Sequence, residues 1–218
     1  MASAIDGRVT LRSLGRLYFL TMDEGPIGHL QQVEAACRAG IRWIQLRMKQ
    51  ASDAAVRETA VAAKKICDAS DCVLIINDRV EIAAEVGAHG VHLGKADMPV
   101  AAARRFLGED IIIGGTANTI GDIREHYRQG ADYIGLGPYR YTTTKKNLSP
   151  ILGLEGYRQI MYQLRQEQLA IPVVGIGGIE MEDAAALLEM GLHGIAFSGM
   201  LVHSEDREGM VRSISKLF

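Results

Sequence analysis

The amino-acid sequence predicts an α/β fold, a single (β/α)8 TIM barrel spanning residues 1–218. Short β-branched segments alternate with longer amphipathic segments along the chain, and eight such pairs are present. No linker, low-complexity stretch or shift in composition divides the sequence. Strands that are apolar on both faces and alternate with helices are typical of a parallel sheet. Eight such units in about 200 residues suit a closed barrel.

The predicted strands are short runs rich in valine, isoleucine, leucine and aromatic residues. In chain order they are 16–21, 41–47, 72–78, 90–94, 110–115, 132–138, 171–178 and 194–199. A doubly wound open sheet is the alternative, and it normally carries a GxGxxG turn after its first strand. The first predicted strand is followed by "MDEGPIG" instead. This difference favours the barrel.

The predicted helices fill the intervals between the strands, and several of them stop at a glycine. Clear examples are 30–40, 53–69, 98–108 and 181–191. The terminating glycines are Gly40, Gly87, Gly108, Gly130 and Gly191. Glycine adopts the left-handed backbone that commonly ends a helix. We therefore expect positive φ at these five positions.

The overall charge gives no reason to expect a nucleic-acid or membrane surface. The chain has 24 lysines and arginines against 26 acidic residues, a net charge of −2. A nearly balanced chain lacks the basic field that attracts polyanions. Binding of phosphate groups must therefore come from local clusters of residues.

The sequence also indicates a cytoplasmic protein. It has no signal-peptide-like apolar core near its start and no run long enough to span a membrane. The three cysteines, Cys37, Cys67 and Cys72, lack zinc-site spacing and are expected to be free, buried thiols in a reducing compartment. The sequence leaves open whether residues 1–15 form a flexible extension, and it leaves open the oligomeric state, a homodimer included.

Polar residues collect at the predicted C-terminal ends of the strands, the end of a barrel that carries its chemistry and is here called the mouth. They are Gln45, Arg47, Lys49, Asn77, Asp78, Asp97, Thr116, Thr142, Thr144 and Lys145. Each has a structural explanation when taken alone, since an aspartate before a helix most often caps it. Their coincidence at one end of one barrel favours a functional site.

The chemistry of these residues divides the mouth into two groups. Two carboxylates without histidine or cysteine partners, Asp78 and Asp97, suit magnesium, and the nearby cations suit a diphosphate. Gly177, Gly178, Ser198 and Gly199 follow the last two strands, where backbone N–H groups commonly bind a monophosphate. The sequence therefore predicts a mouth for two phosphorylated small molecules.

Several segments resemble those of thiamine phosphate synthases. They are "IQLRMK", "INDRVEIAAEVGAHGVHLGKADMP", "ADYIGLGP", "TTTKK", "LGLEGY" and "IPVVGIGGI", which occur in family order over roughly residues 17–200. The resemblance implies a magnesium-dependent enzyme that joins a hydroxymethylpyrimidine diphosphate to a thiazole phosphate and releases diphosphate.

The resemblance also implies roles for individual residues. The pyrimidine diphosphate contacts fall on Gln45, Arg47, Lys49, Asn77, Thr116 and Lys145. Of these, Arg47, Lys49 and Lys145 are expected to stabilise the leaving charge, and Asp78 and Asp97 to hold magnesium. The thiazole phosphate contacts fall on Thr142, Thr144, Gly178, Ser198 and Gly199.

Two positions depart from the usual family pattern. The chain has "GGT" where a GVS-like segment is usual, and Thr116 keeps the hydroxyl group there. Tyr141 stands where a proline is usual, which alters the stiffness of the loop more than its chemistry.

Three other functions remain as alternatives. A thiazole tautomerase-like isomerase would not need the full diphosphate and magnesium set, and a non-catalytic thiamine-precursor binding protein would not need Asp78, Asp97 and Lys145. A phosphosugar isomerase would need a positioned base at a strand end. We expect His89 and His92 to be hydrogen-bonded structural residues, and Trp43 to pack behind the second strand.

Overall fold

The computed structural model describes residues 14–141 and 149–218. Eight parallel strands close into a barrel in chain order, with β8 paired to β1. The strands are β1 (Leu17–Leu20), β2 (Trp43–Leu46), β3 (Val73–Asn77), β4 (Gly90–Leu93), β5 (Ile112–Ala117), β6 (Tyr133–Leu136), β7 (Val173–Gly175) and β8 (Gly194–Phe197). The predicted barrel is confirmed.

Helices follow each strand on the outside of the barrel. They are α1 (His29–Arg38), α2 (Asp53–Ala69), α3 (Val80–Glu85), α4 (Val100–Leu107), α5 (Ile120–Arg128), α6 (Gly153–Gln166), α7 (Ala184–Glu189), α8 (Gly199–Val202) and α9 (Arg207–Ser215). A 3₁₀ turn, Met181–Asp183, precedes α7. The short α8 is an additional helix between β8 and the outer helix α9, a common feature at the phosphate end of such barrels.

The five glycines expected to end helices all have positive φ. The angles are 94° at Gly40, 63° at Gly87, 81° at Gly108, 85° at Gly130 and 92° at Gly191. A side chain is strained in this conformation, so glycine is the favoured residue there. These glycines therefore correctly predicted where five of the helices end.

Strand β5 extends further than predicted. The prediction ended it at residue 115, but Thr116 and Ala117 still pair with β6. Gly114 and Gly115 therefore lie inside the strand, and a Cβ atom on Gly114 would overlap the Tyr133 ring. Glycine within a strand often marks such a close approach.

A second, smaller core fills the interior of the barrel. Trp43 stacks on Tyr18 with ring centroids 3.9 Å apart, and Tyr133 meets Trp43 edge-on at 4.8 Å. The expectation that Trp43 packs behind its strand is wrong, because its side chain lies in this interior cluster. The larger core lies between the strands and the surrounding helices.

The three cysteines agree with the expectation of buried, free thiols. Cys37, Cys67 and Cys72 are free and buried. Within residues 14–141 and 149–218, none of the helices is both long enough and apolar enough to cross a bilayer. Leu14, the first described residue, is buried at the base of the barrel interior.

Candidate active site

The predicted diphosphate and metal residues of β2 to β5 meet at the mouth. Arg47 follows β2 directly and is 8% exposed, while Asn77 ends β3 and is 5% exposed. Asp78 forms an ion pair with Lys49, and the Asp97 carboxyl is its close neighbour. Three strands distant in sequence therefore deliver one compact group of polar and charged residues.

Neither predicted metal ligand is a helix cap. The capping positions of α3 and α4 are Arg79 and Pro99, so helix capping does not explain Asp78 and Asp97, although Asp97 Oδ2 accepts the amide of Gly94 at 2.7 Å. Asp78 has φ of 63°, and its amide donates to the carbonyl oxygen of His92 at 2.9 Å. A non-glycine residue in this left-handed conformation is uncommon, and such strain clusters at functional sites.

The two carboxyl groups shift each other's pKa in opposite directions. Burial acts to raise the pKa of Asp78, but hydrogen bonds with Lys49 and Asp97 outweigh it and hold that pKa below its usual value. Burial and the neighbouring Asp78 carboxyl raise the pKa of Asp97. A divalent cation between them would remove the repulsion and favour the ionised form of both. The pair therefore fits magnesium.

Asn77 presents a buried group that lacks a protein partner. Its Nδ2 atom is buried and has no hydrogen-bond partner within the described part of the chain. Leaving a buried donor unsatisfied costs about 1–3 kcal/mol. This donor at the end of β3 is consistent with a place for a polar ligand.

Arg47 is a cation held in a largely dry environment. Burial lowers its pKa, and the nearby carboxylates of Asp23 and Asp78 oppose that shift. Arginine nevertheless stays protonated in proteins. A buried fixed cation interacts strongly with an anion because little water screens it.

The end of β1 contributes residues that the sequence analysis missed. Thr21 Oγ1 accepts the amide of Arg47 at 2.9 Å, and Asp23 Oδ2 accepts the amide of Lys49 at 3.1 Å. The His29 ring contacts both of these side chains: its Nδ1 lies 2.9 Å from Thr21 Oγ1 and its Nε2 lies 3.2 Å from Asp23 Oδ1. These contacts hold the backbone that carries the two cations. Their position in the sequence could have indicated them, because Thr21 and Asp23 follow the C-terminal end of the first strand.

Gln45 and Thr116 are bonded to side chains of the barrel interior. Gln45 is 1% exposed and its Nε2 donates to the hydroxyl of Tyr18 at 2.6 Å. Thr116 Oγ1 lies 2.9 Å from His92 Nε2. His89 Nδ1 accepts the amide of Leu74, so both histidines are hydrogen-bonded as expected.

At the ends of β7 and β8, small residues leave the backbone accessible at the mouth. Gly177 and Gly178 have φ of 84° and 70°, and a Cβ on Gly178 would lie 3.0 Å from the Tyr141 carbonyl oxygen. Ser198 follows β8 and Gly199 begins α8. Because β7 and β8 are neighbours in the barrel, these two backbone turns lie side by side.

Arg140 fixes the loop after β6 against the turn after β7. Its guanidinium forms two hydrogen bonds to Asp183, at 2.7 and 2.9 Å, and another to the Gly178 carbonyl at 2.9 Å. The sequence analysis did not single out this residue. Thr142, Thr144 and Lys145, which follow it, lie outside the described residues.

Known proteins match the chain over nearly its whole length. The family model for thiamine monophosphate synthase matches residues 17–201. A thiamine-phosphate synthase of Bacteroides thetaiotaomicron is 48% identical over 91% of this chain and 95% of its own. One from Bacteroides fragilis is 50% identical over 87% of this chain and 93% of its own.

A solved structure supports the same relationship. The thiamine phosphate pyrophosphorylase of Pyrococcus furiosus superimposes with a TM-score of 0.83 at 31% identity. The match covers 95% of this chain and 97% of that one. The chain belongs to the thiamine-phosphate synthase family and is a transferase of thiamine biosynthesis.

Proposed function

We propose that the enzyme condenses 4-amino-2-methyl-5-hydroxymethylpyrimidine diphosphate with 4-methyl-5-(2-phosphoethyl)thiazole to give thiamine phosphate and diphosphate. With the carboxylated form of the thiazole as substrate, carbon dioxide is released as a third product. The observation that carries this proposal is the adjacent pair Asp78 and Asp97 beside Lys49 and the buried Arg47. Such a cluster suits a diphosphate bound together with a divalent cation.

The reaction needs charge stabilisation more than it needs a base. The carbon–oxygen bond to diphosphate breaks, its electron pair leaves with the diphosphate, and the pyrimidine methylene carbon becomes cationic. The thiazole nitrogen then donates its lone pair to that carbon, so no proton has to be removed. Arg47, Lys49 and Lys145 stabilise the negative charge that develops on the leaving group.

Asp78 and Asp97 are the residues that would hold magnesium. When bound, the ion neutralises part of the charge on the departing diphosphate. The ammonium group of Lys49 pairs with Asp78 in the structure. Neutralising that carboxylate with a cation would release Lys49 to donate to the diphosphate instead.

The remaining groups divide between the two substrates. Asn77, with its unsatisfied buried amide, and Thr116 are proposed donors to the pyrimidine diphosphate, together with Gln45 at the base of this pocket. Thr142, Thr144, Gly178, Ser198 and Gly199 are proposed contacts of the thiazole phosphate. Two anions in one mouth need separate sets of donors, which the side-chain and backbone groups supply.

The enzyme is further proposed to act in the cytoplasm. Its three cysteines are free and buried, which fits a reducing compartment. Its assembly into a homodimer remains a proposal that a sedimentation measurement decides.

A direct product assay tests the proposed function. The purified chain is incubated with both precursors, with and without Mg²⁺, and thiamine phosphate and diphosphate are quantified together. We expect thiamine phosphate and diphosphate to form in equal amounts, and we expect no product when a chelator is present from the start. A chain that isomerises the thiazole alone, or binds the precursors without turnover, would support the isomerase or the binding protein instead.

A further inference from the structure

A chain of hydrogen bonds crosses the barrel interior from β2 to β5. Gln45 Nε2 donates to Tyr18 Oη at 2.6 Å, and the hydroxyls of Tyr18 and Tyr133 lie 2.9 Å apart. The Tyr133 hydroxyl lies 2.9 Å from His92 Nδ1, and His92 Nε2 lies 2.9 Å from Thr116 Oγ1. The chain therefore begins at a buried amide and ends at a proposed diphosphate donor.

Glycines of the barrel leave space for the rings of Tyr133 and His92, which lie at the centre of this series of hydrogen bonds. A Cβ on Gly114 would overlap the Tyr133 ring, and a Cβ on Gly135 would lie 3.0 Å from His92 Cε1. Trp43 packs edge-on against Tyr133. Tyr133 is fully buried and His92 is 7% exposed. Both rings are thus held in place by their neighbours.

The number of available hydrogens decides which group donates and which accepts along this series of hydrogen bonds. Burial raises the pKa of Tyr18 and of Tyr133, so each phenol keeps its one hydrogen. Tyr18 accepts from the Gln45 amide, and its own hydrogen therefore goes to Tyr133. The hydrogen of Tyr133 then goes to His92 Nδ1. An imidazole that accepts at Nδ1 carries its proton on Nε2.

The opposite direction leaves a buried hydrogen without an acceptor. If His92 Nδ1 carried a proton, it would donate to Tyr133, and Tyr133 would donate to Tyr18. Within the described residues the Tyr18 hydroxyl is bonded to Gln45 and Tyr133, and both would then donate to it. Its own hydrogen would remain buried and unpaired, which is costly.

We propose that His92 is a positioning residue that turns the hydroxyl hydrogen of Thr116 into the mouth. Because His92 Nε2–H donates to Thr116 Oγ1, the threonine cannot direct its own hydrogen at the histidine. That hydrogen is left for an oxygen of the diphosphate, and this last step rests on the proposed function. A donor aimed in advance at developing negative charge stabilises the transition state without reorganisation.

The first test reads the tautomer of His92 directly. Wild-type protein with ¹⁵N-labelled histidine is studied by NMR, with His92→Gln used to assign the signals. We expect Nε2 to carry the proton and Nδ1 to be unprotonated. A proton on Nδ1 overturns the proposal. This measurement needs no substrate and no Tyr133 variant, so it decides the direction of the chain even if the enzyme assay or such a variant fails.

The second test asks whether Tyr133 acts through Thr116. Tyr133→Phe should lower kcat by about tenfold, the usual effect of losing one well-placed hydrogen bond, with a smaller change in KM. In a Thr116→Val background the same change should lower kcat by less than about twofold, because the hydroxyl it positions is already gone. Equal losses in the two backgrounds overturn the proposal, since they indicate a merely structural role.

Tyr157→Phe is the matched control for this cycle. Tyr157 is also fully buried, and its hydroxyl bonds to the Leu136 carbonyl outside the interior chain. Its effect should be the same in both backgrounds. Wild-type protein that forms no thiamine phosphate refutes the proposed function, whereas the histidine spectrum tests the proton on His92 separately.

Discussion

The two halves of the mouth use different parts of the chain. The half formed by β2 to β5 presents charged and polar side chains, among them Arg47, Lys49 and Asp78. The half formed by β7 and β8 presents backbone turns, of which the one after β7 has two glycines with positive φ, Gly177 and Gly178. A shift in protonation or a bound cation changes the first half, but the second keeps its peptide dipoles under all conditions.

This difference indicates how each half should respond to substitution. A side-chain donor or carboxylate can be removed while its shape is kept, so the first half is open to conservative tests. A backbone N–H cannot be removed in that way, and the second half is disturbed by adding atoms. The following predictions use this contrast, from the largest expected effect to the smallest.

The largest effect is expected at Lys145, which the sequence assigns to the charged half. Lys145→Ala should lower the single-turnover rate by about 10²–10³-fold, since one preorganised charge at the leaving diphosphate is lost. Lys146→Ala, one residue on, is the matched control and should be nearly silent. Similar rates for the two variants would remove Lys145 from the chemistry.

The carboxylate pair should control the response to the metal. Asp78→Asn and Asp97→Asn should each lower turnover by about 10²-fold and raise the Mg²⁺ concentration needed for half-maximal activity. Asp68→Asn is the control, because Asp68 pairs with Lys64 at 2.6 Å on the surface of α2. A magnesium titration that is identical in all three variants would contradict the metal assignment.

Thr116 should depend on its hydroxyl and little on its shape. Thr116→Val keeps the volume and should cost about 1–3 kcal/mol of transition-state stabilisation, measured through kcat/KM. Thr116→Ser keeps the donor and should be mild. If valine and serine behave alike, the hydroxyl has no part in the reaction.

The smallest effect is expected in the backbone half. Gly178→Ala places a methyl group 3.0 Å from the Tyr141 carbonyl at φ of 70°, with a strain of about 1–2 kcal/mol. We expect KM for the thiazole phosphate to rise about fivefold, with little change in the chemical step.

Gly40→Ala separates strain from binding. Gly40 has φ of 94°, and a Cβ built there meets no described atom within 4 Å. This variant should lose stability in denaturant unfolding and keep its KM. An equal rise of KM in both glycine variants would show that strain alone is responsible.

The fold was predictable because its signals are local. A buried parallel strand is apolar on both faces, and a glycine at a helix end reports the backbone angle of that residue. The end of β5 was placed two residues too early, the end of β7 three residues too late, and the direction of Trp43 was wrong. The pairing between strands and the packing inside the barrel decide these features, and the periodicity of one strand does not encode them.

The candidate site was predictable in part. Residues at strand ends meet at the mouth of any such barrel, so Arg47, Asp78 and Asp97 could be found without coordinates. The contact between Tyr18 and Tyr133 joins residues separated by 115 positions, and neither segment contains a pattern that predicts it. The roles of Thr21 and Asp23 depend on contacts with Arg47 and Lys49, 26 positions away, which the sequence near the first strand does not encode.

Trp43 gives the barrel interior an optical signal of its own. It is the only tryptophan in the chain, it is fully buried, and it stacks on Tyr18. Selective excitation of tryptophan therefore monitors one place, the aromatic cluster beneath the mouth. An unfolding curve recorded by its emission measures the opening of the interior, and its comparison with far-ultraviolet circular dichroism shows whether the interior opens together with the outer helices.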